Sequence, residues 1–499
     1  MKPRATFKPF RLSPVDHSLP KVYIFKILYF QAVDFTCCLS LLQDGVDRLV
    51  SYLPFLTGEV APCTALKGKT GVQQIQMPGP SLKELPMLLV KYYPDRILPK
   101  YPSPSKNSAE SKEGTSSPDQ SYRPLPDFIP ASQPRPVLRF QANFLADGLV
   151  LCMGYNHSVF DGTGAGTILE MLADCCRAGA ASDISLITTS DIESELRGFL
   201  SSASVAVPKD SQAEYAINCA HTEVETQSFP TMLCNYPFLL SSDRIERLRD
   251  ACNGLLPYVV ETYSRAQTSP VNNDGKWPDF LSSNDVLTAL LAISVKRARE
   301  AAPSPQPRST SLAMAVNLRE RLKSVPSHYL GNLVTTVWAS HLEPPKRPEA
   351  LVSTCSTCEQ LEIEMDDLLW IVEVAFRVRL GLNSIDEEHA CGLIHYLHSQ
   401  DDWEKIGIHF TDPVFVSSWR HLKVYRLDFG PGIGRIQNFE MDVGTSDGNC
   451  IVMPADFKKI DGKNKRPQWE VRLILNQEAM DALINDSLFS WARIKGTFE

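Results

Sequence analysis

The sequence lacks any apolar run long and uniform enough to cross a membrane. Its most apolar early stretch, residues 22–42, is interrupted by Lys26, Gln31 and Asp34, which a bilayer interior accepts only at high cost. The amino terminus, MKPRATFKPFRLSP, is basic but has no apolar segment behind it, unlike a secretory signal. We therefore expect no membrane span and a cytoplasmic location.

Basic character is also missing. The 499 residues carry a formal net charge of -8, and no stripe of Lys and Arg with interleaved aromatic residues occurs. A phosphate backbone needs a basic protein face, so nucleic acid is excluded as a partner. The thirteen cysteines are odd in number and scattered, which predicts reduced thiols rather than a disulfide framework.

Several catalytic signatures are absent as well. No GxSxG nucleophile motif occurs, and the run DGTGAG after Phe160 lacks the Lys-Ser/Thr ending of a phosphate-binding loop. His157 and Asp161 could form half of a metal site, but no third ligand of fitting spacing lies nearby. The sequence therefore predicts neither a metal site nor a bound cofactor.

What is present is the composition of a globular protein, with 43% hydrophobic and 22% charged residues. The length exceeds what one ordinary core holds, which indicates two domains. Residues 100–136 are rich in Ser and Pro and predict a surface loop, disordered at least to Tyr122. We predict an N-terminal domain over 1–205, a connection over 206–229 and a C-terminal domain over 230–499.

Local patterns alternate between strand and helix in both halves, which indicates an α/β fold with mixed sheets. A turn at 146–148 predicts a hairpin, and apolar spacing predicts a helix over 167–177. The other predicted elements are strands at 22–30, 311–317 and 333–339 and helices at 35–52, 283–300 and 359–380.

The most informative segment is HSVFDG, residues 157–162, which lies between a buried strand and a helix. An imidazole suits proton removal near pH 7, and catalytic groups concentrate at such strand ends. Asp161 can hold the turn in shape, and Gly162 stands where an unusual backbone angle would favour glycine. A single histidine at a strand end is nevertheless more often a structural residue than a base.

Further motifs change that balance. HSVFDG resembles the HxxxDG motif of BAHD-type acyltransferases, and DFGPG at 428–432 resembles their DFGWG. Between the two, segments resemble the family's N-x-R, YFGN and T-S-W motifs. These are NLR at 317–319, YLGN at 329–332 and SSW at 417–419. The order and spacing resemble those of the family across nearly the whole chain. HSVFDGTG and the Pro-containing loop look closest to the fungal branch that includes trichothecene 3-O-acetyltransferases.

The resemblance implies two chloramphenicol-acetyltransferase-like domains with an active-site channel between them. It implies that His157 is the general base that deprotonates a hydroxyl, less readily an amine, of a small acceptor for attack on an acyl-CoA, acetyl-CoA above all. The co-substrate is not a bound cofactor, and relatives are usually monomers. Asp161 is then expected to pair with Arg319.

The other motif residues have implied roles too. Ser417 and Trp419 would donate hydrogen bonds to the oxyanion. Structural roles fall to the remaining positions, Gly162, Asp428, Gly430 and Gly432. Pro431 stands where the family has Trp and Ser417 where it has Thr, and Arg426 occupies a place where plant members usually carry an acid, so contacts to coenzyme A do not transfer in detail.

Three alternatives stay open. Condensation domains of peptide synthetases carry HHxxxDG and use carrier-protein thioesters, but Asn156 stands at the first His position here. A catalytically silent binding relative would keep the fold without the reaction. A hydrolase would use the same base and pass the acyl group to water.

Overall fold

A computed structural model describes most of the chain. The described residues are 6–32, 34–64, 66–99, 119–177, 188–201, 233–266, 276–302, 311–339, 342–346, 356–407, 413–442, 446–457 and 466–495. The predicted connection at 206–229 and most of the predicted loop, 100–118, lie outside them.

Strands and helices alternate along the described chain. The strands are β1 (Phe10–Arg11), β2 (Tyr23–Phe30), β3 (Glu59–Pro62), β4 (Gln73–Gln76), β5 (Leu88–Tyr93), β6 (Arg135–Pro136), β7 (Leu138–Leu145), β8 (Gly148–Asn156), β9 (Leu233–Leu240), β10 (Leu312–Asn317), β11 (Val334–Ala339), β12 (Val414–Ser418), β13 (Asn438–Asp442), β14 (Asn449–Val452), β15 (Trp469–Asn476) and β16 (Arg493–Ile494). The helices are α1 (Pro14–Ser18), α2 (Phe35–Tyr52), α3 (Pro80–Glu84), α4 (Gly162–Arg177), α5 (Ser190–Ser201), α6 (Ser242–Arg265), α7 (Ser283–Ala301), α8 (Ser356–Leu361), α9 (Met365–Ser384), α10 (Glu387–Ser399) and α11 (Gln477–Ile484).

The first sheet has the order β13-β2-β8-β7-β5, antiparallel except for the parallel pair β5 and β7. Side chains alternate along β2 because successive residues of a strand point to opposite faces. Ile24 and Leu28 pack in the core that α2 and α4 cover, whereas Phe25 and Ile27 pack against Tyr122 on the other face. Both faces of β2 are therefore buried, which explains its nearly continuous apolar sequence.

The Ser/Pro-rich segment is ordered earlier than predicted. Residues 120–122 form a 3-10 turn, and Tyr122 is buried against the first sheet. Arg135 and Pro136 form strand β6 in a small sheet of order β1-β4-β3-β6. The segment keeps this order because it supplies the apolar cover that the outer face of β2 needs.

The second sheet has the order β11-β10-β12-β14-β15-β9-β16, with parallel pairs only among β10, β12 and β14 in the described chain. Helices α6, α7, α9 and α11 contribute to the large core on one of its faces. Ile451 and Met453, at the end of β14, pack instead in the core of the first sheet. The two sheets are therefore joined by a shared apolar contact.

Strand β13 crosses from the second half of the chain into the first sheet. It pairs antiparallel with β2, from Asn438 opposite Tyr29 to Asp442 opposite Phe25. On this strand Glu440 accepts a hydrogen bond from the Tyr29 hydroxyl at 2.6 Å and pairs with Arg472 of β15 at 3.1 Å. The sheets thus do not follow the chain order at this point, and the domain ranges given above stay a prediction.

None of the described helices has both the length and the apolar content that crossing a bilayer would take.

Candidate active site

His157 lies directly beyond the end of β8, the central strand of the first sheet. The His157 amide donates to the Val22 carbonyl at 2.9 Å, directly beyond the last pair of β2 and β8. The turn that follows is held by Asn156, whose side-chain oxygen accepts from the amide of Ser158 at 3.0 Å and from its hydroxyl at 2.6 Å. Asn156 therefore has a structural task at the position where condensation domains have the first histidine of HHxxxDG.

The imidazole of His157 has a defined orientation. Its Nδ1 lies 3.1 Å from the Phe160 carbonyl oxygen. A carbonyl only accepts, so Nδ1 carries the hydrogen, and Nε2 is left with its lone pair. Burial lowers the pKa of His157, and the Phe160 carbonyl and Asp161 only partly oppose this effect. The ring is consequently neutral, and able to accept a proton, at neutral pH.

Asp161 points away from the imidazole and into a buried ion pair. Its two carboxylate oxygens accept from Arg319 at 2.7 and 3.1 Å, a bidentate geometry. The amides of Gly164 and Leu333 complete the set at 2.8 and 3.0 Å. Arg319 lies two residues after the end of β10 and also donates to the carbonyls of Tyr329 and Gly331. The predicted contact between Asp161 and Arg319 is confirmed.

The glycines after Asp161 are required by close packing. Gly162 has no positive φ angle, so the expected unusual backbone conformation is wrong for this residue. A Cβ atom there would lie 2.4 Å from the Trp419 ring. At Gly164 it would lie 1.9 Å from the Leu330 carbonyl oxygen. Helix α4 begins at Gly162, five residues earlier than predicted, because Asp161 caps it through the Gly164 amide.

Side chains from distant parts of the chain donate hydrogen bonds to the main-chain carbonyls of this loop. Asn332 donates to the His157 carbonyl at 3.0 Å and Arg197 to that of Val159 at 2.9 Å. Lys26 of β2 donates to the Gly162 carbonyl at 2.8 Å. The loop conformation is thus set by long-range hydrogen bonds, which hold the base in place through its main chain.

A buried charged cluster lies behind these donors. Asp16 accepts from the amide and the side chain of Asn332, both at 2.9 Å, and lies 3.3 Å from Arg197. Glu193 pairs with Arg197 at 3.0 Å and accepts from the Leu330 amide. All three charged side chains are fully buried. Burial raises the pKa of Glu193, and Arg197 counteracts that effect.

Ser417 is the next-to-last residue of β12, and Trp419 follows that strand directly. The Trp419 indole N–H donates to the Ser417 hydroxyl oxygen at 2.9 Å, and the Trp419 ring lies against Gly162. The structure therefore places the two predicted oxyanion donors in direct contact with each other. Because the indole N–H is used within the pair, the Ser417 hydroxyl hydrogen is the one left for a ligand.

The second motif lies far from His157. Asp428 accepts from the Gly430 amide at 3.0 Å and from Arg435 at 3.2 Å, which closes a turn. Gly430 has a φ of +89° and approaches Arg177 at the far end of α4. A helix rises about 1.5 Å per residue, so this end is roughly 22 Å from Gly162. Gly432 packs on α2, where a Cβ would lie 2.3 Å from Leu41.

Several residues of the site were missed from the sequence. Asp16, Arg197 and Lys26 carry no motif, although Lys26 is a single charge in an otherwise apolar strand, which is a usable signal. Asn332 lies in the YLGN segment, to which the sequence assigned no role. No group of three or more His, Cys, Asp or Glu within the described ranges could hold a metal ion.

A family model for the Transferase family matches residues 118–488. The chain belongs to this family. A second model, the trichothecene 3-O-acetyltransferase-like N-terminal domain, matches residues 23–176. The resemblance read from HSVFDG and DFGPG is therefore confirmed.

Curated relatives match over the full length. Fumigaclavine B O-acetyltransferase of Aspergillus fumigatus is 64% identical over 99% of both chains. Communesin N16 acyltransferase of Penicillium expansum is 36% identical over 99% of both. A fumigaclavine B O-acetyltransferase of Penicillium roqueforti is 33% identical over 96% of both. This transferase is thus an acyl-CoA-dependent O-acyltransferase of fungal secondary metabolism, and acyl-CoA is its co-substrate.

Solved structures confirm the fold class. TRI101 of F. graminearum, in complex with coenzyme A and deoxynivalenol, has a TM-score of 0.68 at 19% identity and covers 98% of this chain and 99% of its own. Vinorine synthase has a TM-score of 0.58 at 13% identity, with coverage of 99% and 97%. The mixed α/β architecture is that of the BAHD-like acyltransferases.

Proposed function

We propose that His157 is the general base of this acyltransferase. Nε2 takes the proton of the acceptor hydroxyl as its oxygen forms a bond to the thioester carbonyl carbon. The tetrahedral intermediate then expels the coenzyme A thiolate, which takes the proton from Nε2. The observation that carries the proposal is the hydrogen bond from Nδ1 to the Phe160 carbonyl, which leaves Nε2 unprotonated.

The oxyanion is the second charge to stabilise. We assign the donating hydrogen to the Ser417 hydroxyl, with the Trp419 indole N–H orienting that hydroxyl at 2.9 Å. We divide the roles in this way because an indole has a single N–H donor, and the Ser417 hydroxyl oxygen already accepts it.

Asp161, Gly162 and Arg319 act as scaffold in this proposal. The carboxylate of Asp161 has four donors around it, so it has little capacity left to accept a proton from a substrate. Asp428, Gly430 and Gly432 shape a turn roughly 22 Å from the site, a distance given by the rise of helix α4. That turn is proposed to be structural as well.

The acceptor is proposed from the 64% identical relative, whose name gives fumigaclavine B as the substrate and acetyl as the group transferred. Identity of this level over 99% of both chains makes fumigaclavine B the first acceptor to test. We further propose that the enzyme acts in the cytoplasm as a monomer. The cysteines within the described residues form no disulfide with one another, which agrees with a reducing compartment.

The test is incubation with acetyl-CoA, with and without fumigaclavine B, following thiol release and product mass. The proposal expects acceptor-dependent release that falls by about 10²–10⁴-fold in His157→Ala. His421→Ala, which removes an exposed histidine, is the matched control and keeps wild-type activity. Equal release without acceptor indicates a hydrolase. Failure with every acyl-CoA, but transfer from a carrier thioester, indicates the condensation-type alternative, and no transfer from either indicates a silent relative.

The pH profile sharpens this test. Because burial lowers the pKa of His157, the base stays unprotonated to more acidic pH than a free imidazole. The acid limb of kcat/KM is therefore expected to have its midpoint below pH 6.5. A midpoint above that value would contradict the assignment of His157 as a buried base.

A further inference from the structure

Lys26 is a buried lysine with no role in the proposed reaction. It lies in the middle of β2 and has no exposed surface. Strand alternation places it on the face of the first sheet that α4 covers, between Ile24 and Leu28. Removing an ammonium from water is costly, so its partners in the interior must offset that cost.

The partners of the ammonium are unusual for a buried lysine. Nζ donates to the Gly162 carbonyl at 2.8 Å and lies 4.8 Å from the centre of the Trp419 ring and 6.0 Å from that of Tyr155. Among the described residues no carboxylate oxygen lies within 4 Å of it. Ring faces thus take the place of an ion pair, and cation–π attraction is strongest where water is excluded.

The charged groups around Lys26 lie farther away. Asp161 and Glu170 face it from the loop and from α4, and Lys423 faces Glu170 in turn. Burial lowers the pKa of Lys26 to about 7 despite these two carboxylates. A lysine that served stability alone would be better placed beside one of them.

The two contacts of the ammonium link the His157 loop to the Ser417–Trp419 segment, whose relative position matters for the proposed reaction. Gly162 ends the loop that carries His157, and Trp419 comes from the second sheet and holds Ser417. The Trp419 ring lies directly against Gly162, where a Cβ would be 2.4 Å away. Lys26 contacts both, and the three groups form one packed unit between the two sheets.

We propose that Lys26 is a positioning residue that clamps the Trp419 ring against the His157 loop and so fixes the Ser417 hydroxyl relative to the base. The inference rests on the proposed function, since it takes His157 as the base and Ser417 as the oxyanion donor. Loss of the clamp lets Trp419 shift, and a misplacement of about 1 Å can cost about 10²-fold in rate. The acceptor and acyl-CoA sites would be little changed.

The first test compares Lys26→Met and Lys26→Gln with the wild type. Both are expected to lower kcat by about 10- to 100-fold, whereas KM changes by less than about threefold. Lys296→Met is the matched control. This lysine is also buried, at 5% exposure, but it pairs with Glu300 and Glu343 away from the site, so its loss should leave kcat unchanged. Gln retains a donor for the Gly162 carbonyl, so a folded Lys26→Gln variant with full kcat overturns the proposal.

A double-mutant cycle with Trp419→Leu provides the second test. If Lys26 acts through Trp419, the double variant Lys26→Met/Trp419→Leu is no slower than Trp419→Leu alone. If the kcat losses of the two single variants multiply in the double variant, the proposed clamp is wrong. His157→Ala separates this result from the base assignment: if that variant stays active, the proposed function fails. If it is inactive while Lys26→Met and Lys26→Gln keep full kcat, only the clamp fails.

Discussion

The loops at 157–162 and 428–435 carry motifs of similar form, yet the structure stabilises them in opposite ways. The aspartate of the first loop, Asp161, is buried and pairs with Arg319, 158 residues farther along the chain. The aspartate of the second, Asp428, is about one-third exposed and pairs with Arg435, seven residues away. The aspartate of the first loop is thus held by a partner from a distant segment, whereas the aspartate of the second closes its own turn.

This difference shows what each motif reports. The first loop needs residues from both sheets before it can adopt its conformation, so its sequence indicates the assembled site. The second is a turn that packs on α2 and on the end of α4, through Gly432 and Gly430. Its sequence indicates a local shape rather than a catalytic group. The predictions below test that contrast.

The largest effect is expected for Asp161→Asn. Removing one partner of a buried ion pair leaves Arg319 charged and uncompensated, which costs about 3–5 kcal/mol. We expect the free energy of unfolding, measured by urea denaturation, to fall by that amount. A variant that keeps wild-type stability but loses activity would instead make Asp161 a proton-transferring residue.

The next largest effect is expected for Asn332→Ala. The change removes the donor to the His157 carbonyl and one of the donors to buried Asp16, and unsatisfied buried groups cost about 1–3 kcal/mol each. Unfolding free energy and kcat should both fall. Asn485→Ala, at an exposed position, is the control and should change stability by less than about 0.5 kcal/mol. Equal losses of stability and kcat in the two variants would show that long-range hydrogen bonds from Asn332 do not support the first loop.

In the second loop, Gly430→Ala should cost about 1–2 kcal/mol, because a side chain at φ +89° is strained. Gly254→Ala offers the opposite case, since this glycine is helical in α6 and a Cβ there meets nothing. Ala should stabilise α6 by about 0.5–1 kcal/mol. Activity should be unchanged in both, and a large loss of kcat in Gly430→Ala would show that the turn reaches the site.

The smallest effect is expected for Asp428→Asn, less than about 1 kcal/mol, since the pair with Arg435 is solvent-exposed. The Gly430 amide and Arg435 lower the pKa of Asp428, so its stabilisation is present at neutral pH and lost as pH falls through the lowered pKa. Denaturation at pH 7 and at pH 3 should therefore show the difference shrinking. The acid limb of kcat/KM should not move.

Local patterns predicted most of the elements. The predicted helix over 35–52 is α2, and the turn at 146–148 joins β7 and β8 as expected. Helix α4 begins before its apolar periodicity does, because its first turn is set by the Asp161 cap and by glycines pressed against Trp419 and Leu330. Periodicity reports the buried face of a helix and carries no information about such caps.

The support of the site could not be predicted in the same way. Asp16, Asn332 and Arg197 come from three separate segments, and one sequence gives no signal that they meet. The transfer of β13 into the first sheet is likewise decided by pairing across about 400 residues, not by its five residues. The motif residues His157, Asp161 and Arg319 were predictable because the family resemblance brings them together.

The crossing of β13 also has a consequence for synthesis. Strand β8 leaves the ribosome at residue 156, but the partner that covers the free edge of β2 comes only at residue 438. At about 5–20 residues per second, the apolar edge of β2 stays open for roughly 15 to 60 s. An open apolar strand edge can pair with other chains. The nascent protein therefore depends on protection of that edge until β13 has been made.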